Sequence, residues 1–257
     1  MSESSSLERM LDILGLFDEA RPEWTPAELA GQLGYSRPTL YRYLKTLKGA
    51  GLIASVDQST YTIGPRVVEL DYLLRRADPL VPESDAEIEA LATRYPGTAF
   101  VSRWYRDRVL CINSASISEE VVSSFPRGRP MPVGRGATSH VILAHLTRRQ
   151  LLPLIEPRLD DYRQIGFGAD RDSVLARYRA IRKDGYIVSR GEVQPNVVGT
   201  AAPIFGAGPM PIGSLCLTLS DRQFAHYEPA AMGREIAATA ARIGARLASR
   251  RHLEAAA

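Results

Sequence analysis

The stretch TPAELAGQLGYSRPTLYRYLKTL, residues 25–47, most constrains what this chain can fold into, because it holds two helix starts and one helix stop. Thr25-Pro26-Ala27-Glu28 is a capping box with proline at the first helical position, where a missing N–H costs nothing. Trp24 before the cap and Leu29 four positions after it have the spacing of a hydrophobic staple. Gly34 stops this helix, and after a turn of about three residues Ser36 opens the next, with Pro38 in its first turn. At ~100° per residue, Leu40, Tyr43, Leu44 and Leu47 share one side. Thr39, Arg42, Lys45 and Thr46 share the other, with Arg37 and Tyr41 at the flank.

The flanks complete a small module. Ser5 and Glu8 form a capping box, and Leu7, Leu11, Leu14 and Phe17 repeat at helical spacing, so a first helix is expected to end near Ala20. After Gly49 and Gly51, LIASV and TYTI flank DQS and read as a β-hairpin. Three helices followed by a hairpin make a winged helix-turn-helix, whose second turn-helix enters the major groove. Arg37, Thr39, Tyr41, Arg42, Lys45 and Thr46 then face phosphates and base edges. The alternative is a solvated helix face on a module that docks another protein.

Charge supports the first reading only locally. Residues 1–36 hold two arginines against seven acids, whereas residues 37–76 hold seven basic residues against three acids. The chain is therefore no uniformly basic binder, yet a basic face begins where the second turn-helix begins, and screening leaves such a face effective over ~10 Å. No run approaches the ~20 apolar residues of a membrane span. The opening MSESSSLERM lacks a basic and an apolar region, so the expected compartment is the cytoplasm. Cys111 and Cys216 sit in apolar runs and are expected to be buried and reduced.

Residues 1–65 are thus assigned to a DNA-binding domain. VVELDYLLRR (67–76) reads as an outgoing helix, and the proline-bearing ADPLVPESD follows it, so residues 66–82 are assigned as linker helix and linker. Residues 83–257 form the second domain. Helices are expected over about 84–94, 138–146, 147–155 and 172–184, and from Pro229 onward. Strand-like runs fall at 98–104, 107–113, 120–125, 186–190, 199–205 and 212–219. Hairpin-like strand order with helices at both ends predicts an α+β domain on an antiparallel sheet.

Enzyme chemistry finds little support. His140 and His145 are five apart, with no Cys-x-x-Cys or His-Glu-x-x-His, so no metal is expected. Gly-x-Ser-x-Gly is absent, and Asp160-Asp161 reads as a solvated pair in a loop. No catalytic residue and no cofactor are assigned. Gly134 and Gly136 precede a helix starting near Thr138, and such a start suits an anion such as a carboxylate. Cys216 and Thr218, two apart on a strand, share a face and either line a ligand cavity or fill core beneath a helix.

The whole chain resembles the IclR family of bacterial transcription regulators. GYSRPTLYRYLKTL is similar to the family's Gly-Leu-x-x-Ser-Thr-x-x-Arg-Leu-Leu segment, with Thr39, Arg42 and Leu44 matching. YTIGPRVVEL resembles the segment that follows the family's wing, and GYIVSRGEVQPNVVGTAAPIF resembles its C-terminal signature through Gly185, Ser189, Glu192, Ala201, Ile204 and Phe205. Departures are Pro38 for serine, Gly199 for Cys, Ser or Ala, Thr200 for an aliphatic residue and Gly206 for Asp or Asn. The resemblance implies a GAF-like effector domain whose pocket is lined by Ala137, Thr138, Gly199, Cys216 and Thr218. It also implies small organic or aromatic acids as effectors, dimers through the N-terminal domains and tetramers through the C-terminal ones.

The expectation is a ligand-responsive regulator that binds near-palindromic double-stranded operator DNA. The competing readings are a metabolite-binding enzyme or sensor whose N-terminal module docks a protein partner, and an architectural DNA binder with a vestigial pocket.

Overall fold

The computed structural model describes residues 5–57, 59–105, 107–117 and 126–255. The chain packs as two units, Met1–Asp78 and Pro79–Ala257.

In the first unit, α1 (Ser6–Asp12) starts at the Ser5–Glu8 capping box. It ends earlier than the repeat of leucines implies, and a 3-10 turn over Leu14–Leu16 follows. Leu7 and Leu11 stand exposed, while Ile13 is buried and Met10, Leu14 and Phe17 pack against the core. Two apolar stripes compete on this segment, and the one meeting Trp24 and Tyr35 wins. A two-residue strand, β1 (Glu23–Trp24), precedes α2 (Pro26–Leu33), and Gly34 ends α2 in the left-handed conformation at φ 66°. Trp24 and Leu29 are both buried, as a staple requires. The next helix, α3 (Arg37–Gly49), buries Leu40, Tyr43, Leu44 and Leu47.

The wing is β2 (Ile53–Ser55) and β3 (Tyr61–Ile63), with β1 added on the far side of β3. Asp57 shapes its turn by accepting from the Ser59 N–H at 2.7 Å. Gly64 is obligatory, because a Cβ there would lie 2.1 Å from the Gly51 carbonyl oxygen. Then α4 (Arg66–Ala77) runs without burying any residue.

The second unit opens with α5 (Leu80–Arg94), four residues earlier than expected. Pro79 precedes its first turn and Pro82 lies within it, where the first N–H groups have no helical partner to lose. The prolines therefore start a helix where a linker was expected, and only Asp78 and Pro79 separate α4 from α5. The sheet strands are β4 (Thr98–Tyr105), β5 (Arg108–Ser116), β6 (Pro130–Met131), β7 (Ile187–Arg190), β8 (Val197–Phe205) and β9 (Pro211–Ser220). They run antiparallel in the order β6-β5-β4-β9-β8-β7. Between β6 and β7 lie α6 (Ala137–Leu143), α7 (Arg148–Ile155), α8 (Leu159–Gln164) and α9 (Arg171–Asp184). The chain closes with α10 (Asp221–Phe224) and α11 (Pro229–Ala255). Asp160 and Asp161 belong to α8, so the expected loop is a helix whose start favours acidic side chains. The strand expected over 120–125 lies outside the described residues.

Both sheet faces are covered. Alternate residues of β8 and β9, among them Val198, Ala202, Leu215 and Leu217, pack with Ile88 of α5 and Ile236 of α11. The intervening Ala201 and Cys216 join α6 and α9 in a second core. Burial of both faces explains why these strands read as apolar runs.

Candidate functional site

The first candidate surface is the outer side of α3. Arg37, Tyr41, Arg42, Lys45 and Thr46 are exposed there, and Thr39 is partly exposed. The three cations Arg37, Arg42 and Lys45 make no ion pair with a described residue. Charged groups left unpaired on one helix face give a local positive potential. Three of the six side chains are partly engaged, Arg42 through its guanidinium over the Tyr43 ring. The Ser36 hydroxyl donates to Thr39 Oγ1 at 3.0 Å instead of capping α3, and Thr46 Oγ1 donates to the Arg42 carbonyl at 3.1 Å. Lys48 donates to Ser55 Oγ at 2.8 Å, tying α3 to the wing. Arg37 and Tyr41 share a groove with Thr25 at the start of α2 and with Tyr61 of the wing.

The second site is a cavity of about 480 Å³, mouth included, between the sheet and the start of α6. The structure gathers all five residues proposed for a pocket, Ala137, Thr138, Gly199, Cys216 and Thr218, in its wall. Strand register does this: Ser189 pairs with Gly199 and Gly199 with Thr218, while Ala201 pairs with Cys216 and Cys216 with Phe100. Directly paired residues point to the same side of a sheet. A Cβ on Gly199 would sit 3.4 Å from that of Ala137, so the glycine leaves open a space that a small side chain would fill. Thr218 Oγ1 is committed to the Thr98 carbonyl at 3.2 Å.

Four polar lining residues were not assigned to the pocket from sequence: Arg135, Ser189, Glu192 and Gln194. Arg135 Nη2 donates to Asp161 at 3.0 Å and to Gln164 at 3.4 Å. It is the cation among the described lining residues. Glu192 matters more. Its Oε2 accepts from the Gly136 N–H and from His140 Nε2, each at 2.8 Å. The anion expected at the start of α6 is thus partly supplied by the chain itself. The placement of Ser189 could have been read from strand alternation, but that of Glu192 depends on a loop closing over α6, which no periodicity reveals.

Behind Glu192 a buried chain continues. His140 Nδ1 meets Tyr178 Oη at 3.2 Å, Tyr178 Oη meets Tyr162 Oη at 2.8 Å, and Phe167 stacks on His140 at 4.0 Å. Burial pushes the Glu192 carboxyl up, but the His140 and Gly136 hydrogen bonds and the Arg177 charge outweigh it, holding the group below the usual glutamate range. Burial raises the Tyr162 hydroxyl to about 12. The same cause lifts the Cys111 thiol to about 11 and the Cys216 thiol to about 12, so neither is a ready nucleophile. Among the described residues no group of three or more His, Cys, Asp or Glu is placed to hold a metal, and no helix is long and apolar enough to cross a membrane.

Comparison with known proteins gives these two surfaces a context. Residues 6–57 match the family model of the IclR helix-turn-helix domain, and residues 77–245 match that of the bacterial transcriptional regulator IclR C-terminal domain. The chain is 25% identical over 223 residues to the HTH-type transcriptional regulator XynR of Escherichia coli, covering 84% of this chain and 87% of that one. It is 22% identical to the Pca regulon regulatory protein of Pseudomonas putida, covering 82% and 72%. An IclR transcriptional regulator from Silicibacter superposes with a TM-score of 0.77 at 20% identity, over 96% of both chains. An IclR homologue from Microbacterium hydrocarbonoxydans, solved in complex with 4-hydroxybenzoate, superposes with a TM-score of 0.72 at 20% identity, over 95% of this chain and 100% of that one.

Proposed function

The chain belongs to the IclR family of bacterial transcriptional regulators, and on that premise we propose that it binds a near-palindromic operator as a homodimer and senses a small organic acid. Family membership makes it a DNA-binding regulator with an effector domain, and its relatives are regulators, not enzymes. The proposal adds the residues, the symmetry, the ligand class and action in the cytoplasm.

The observation that carries the DNA side is the set of unpaired cations on α3, opposite a fully buried face. Arg42 and Lys45 reach base edges or phosphates from the major groove, with Arg37, Thr39, Tyr41 and Thr46 beside them. Homodimerisation is supported by α4, which exposes Val67, Val68, Leu70, Leu73 and Leu74 and buries nothing. Two copies joined there would present two α3 helices to successive major grooves, hence a near-palindromic site.

The ligand side rests on the cavity. Its apolar wall of Phe100, Met131, Ala137 and Val197 suits a small ring or short chain, and Thr138, Ser189 and Arg135 offer donors to a carboxylate. The neighbour that holds 4-hydroxybenzoate favours an aromatic acid. Ligand binding changes transcription only if it prefers one DNA-affinity state.

The test is selection of genomic fragments by the purified chain at near-physiological salt, followed by sequencing. Enrichment of a site with two related halves about one helical turn apart is expected. Salt-sensitive background binding alone, with and without candidate acids, would overturn the operator reading.

A further inference from the structure

Glu192 is an unusual group for the wall of a cavity that takes acids. Its side chain is only 10% exposed, and both of its hydrogen bonds fall on Oε2. No described donor engages Oε1. The residue therefore brings a partly buried carboxylate with open acceptor capacity to the cavity wall.

The carboxylate is also held in place. His140 is fully buried and stacked on Phe167, so its ring cannot turn away. One arrangement of hydrogens leaves every hydroxyl in the chain paired. Tyr162 donates to Tyr178, Tyr178 donates to His140 Nδ1, and His140 Nε2–H donates to Glu192. In that arrangement the relay ends on Glu192 as its acceptor. A second carboxylate placed against it would put two like charges together, which is unfavourable unless they share a proton. A hydroxyl or amine donor meets no such conflict, and a hydrogen bond to an ionised acceptor is about twice as strong as a neutral one.

We propose that Glu192 is the specificity-determining residue of this cavity: its carboxylate receives a hydroxyl or amine hydrogen of the ligand and turns the ligand's own acid group elsewhere. The ligand class narrows from small acids to hydroxy or amino acids with the donor remote from the carboxylate. This inference rests on the reading of the cavity as a site for small organic acids. Glu192 makes the site reject analogues that lack the donor, because its acceptor would then be desolvated without a partner.

The test is calorimetric titration of the full chain with benzoate and with its hydroxy, amino and methyl derivatives at each ring position. The methyl group matches the donors in size and lacks the hydrogen. At one ring position the hydroxy or amino compound is expected to bind at least tenfold tighter than both the methyl compound and benzoate. Glu192→Gln and Glu192→Met, checked for folding by thermal melting, are expected to shrink that ratio at least fivefold. The wild-type comparison of donor with methyl needs no variant. Binding of benzoate with no donor advantage, or an advantage that survives both substitutions, overturns the role of Glu192 and leaves the acid site standing. Failure of every acid to bind the wild-type chain overturns the acid site and the specificity role together.

Discussion

Arg42 and Thr138 are single positions at which the two proposed functions can be tested. Arg42 is exposed, and its guanidinium lies 5.4 Å from the Tyr43 ring. Arg42→Ala should weaken specific DNA binding by about 1–3 kcal/mol if the side chain reads a base, or lower the salt slope by about one if it holds a phosphate. Fluorescence anisotropy across a salt series separates the two, and no change in either removes Arg42 from the interface. Thr138 is 6% exposed in the cavity wall. Thr138→Phe should abolish the ligand response while operator binding persists, and a retained response in a gel-shift titration would move the ligand elsewhere. Glu192 gives a pH signature. Its folded value lies below the ordinary ~4.3 of an unfolded glutamate, so its contribution is fully present above ~4.3 and is lost as pH falls through the folded value. Glu192→Gln should flatten the fall of melting temperature on acidification below ~4.3 and leave the neutral-pH slope unchanged.

Elements differ in how far the sequence announces them. The caps at Thr25, Thr147 and Asp170 close as local patterns dictate, since each needs only residues three apart. The four apolar positions of α3 are buried for the same reason. Where two local solutions compete, tertiary packing decides. The apolar stripe of α1 and the proline-led start of α5 are both such cases, and in both the local pattern was compatible with the structure formed. The pocket divides in the same way. Its strand residues follow from register, whereas Arg135 and Glu192 arrive from loops whose course depends on the whole domain. The helix α4 shows a further limit, because its pattern is helical but names no partner within the chain. Leu70→Asp should place a charge on its exposed apolar surface, and if α4 joins two copies as proposed, sedimentation should show a dimer for the unsubstituted chain and a monomer for the variant. An unchanged dimer would assign the self-contact to another surface.

At the scale of the whole molecule, reading and sensing reside in different units. Each unit has its own core, so damage to one need not unfold the other. Leu44→Ala, which empties a fully buried position of the first unit, should cost about 2–5 kcal/mol there. Operator binding should fall while calorimetric binding of an acid survives. The exposed surface of α4 has a further consequence once a second copy covers it. Folding stability then depends on how many copies are present, because association adds free energy by mass action. The melting temperature should rise with protein concentration, and a chain diluted below its dimerisation constant should lose stability with no change of sequence. With such a contact, scarce copies would expose that apolar helix to proteases and chaperones, whereas abundant copies would shield one another. The amount of regulator in the cell would therefore carry its own threshold, below which unpaired chains are cleared before they reach DNA.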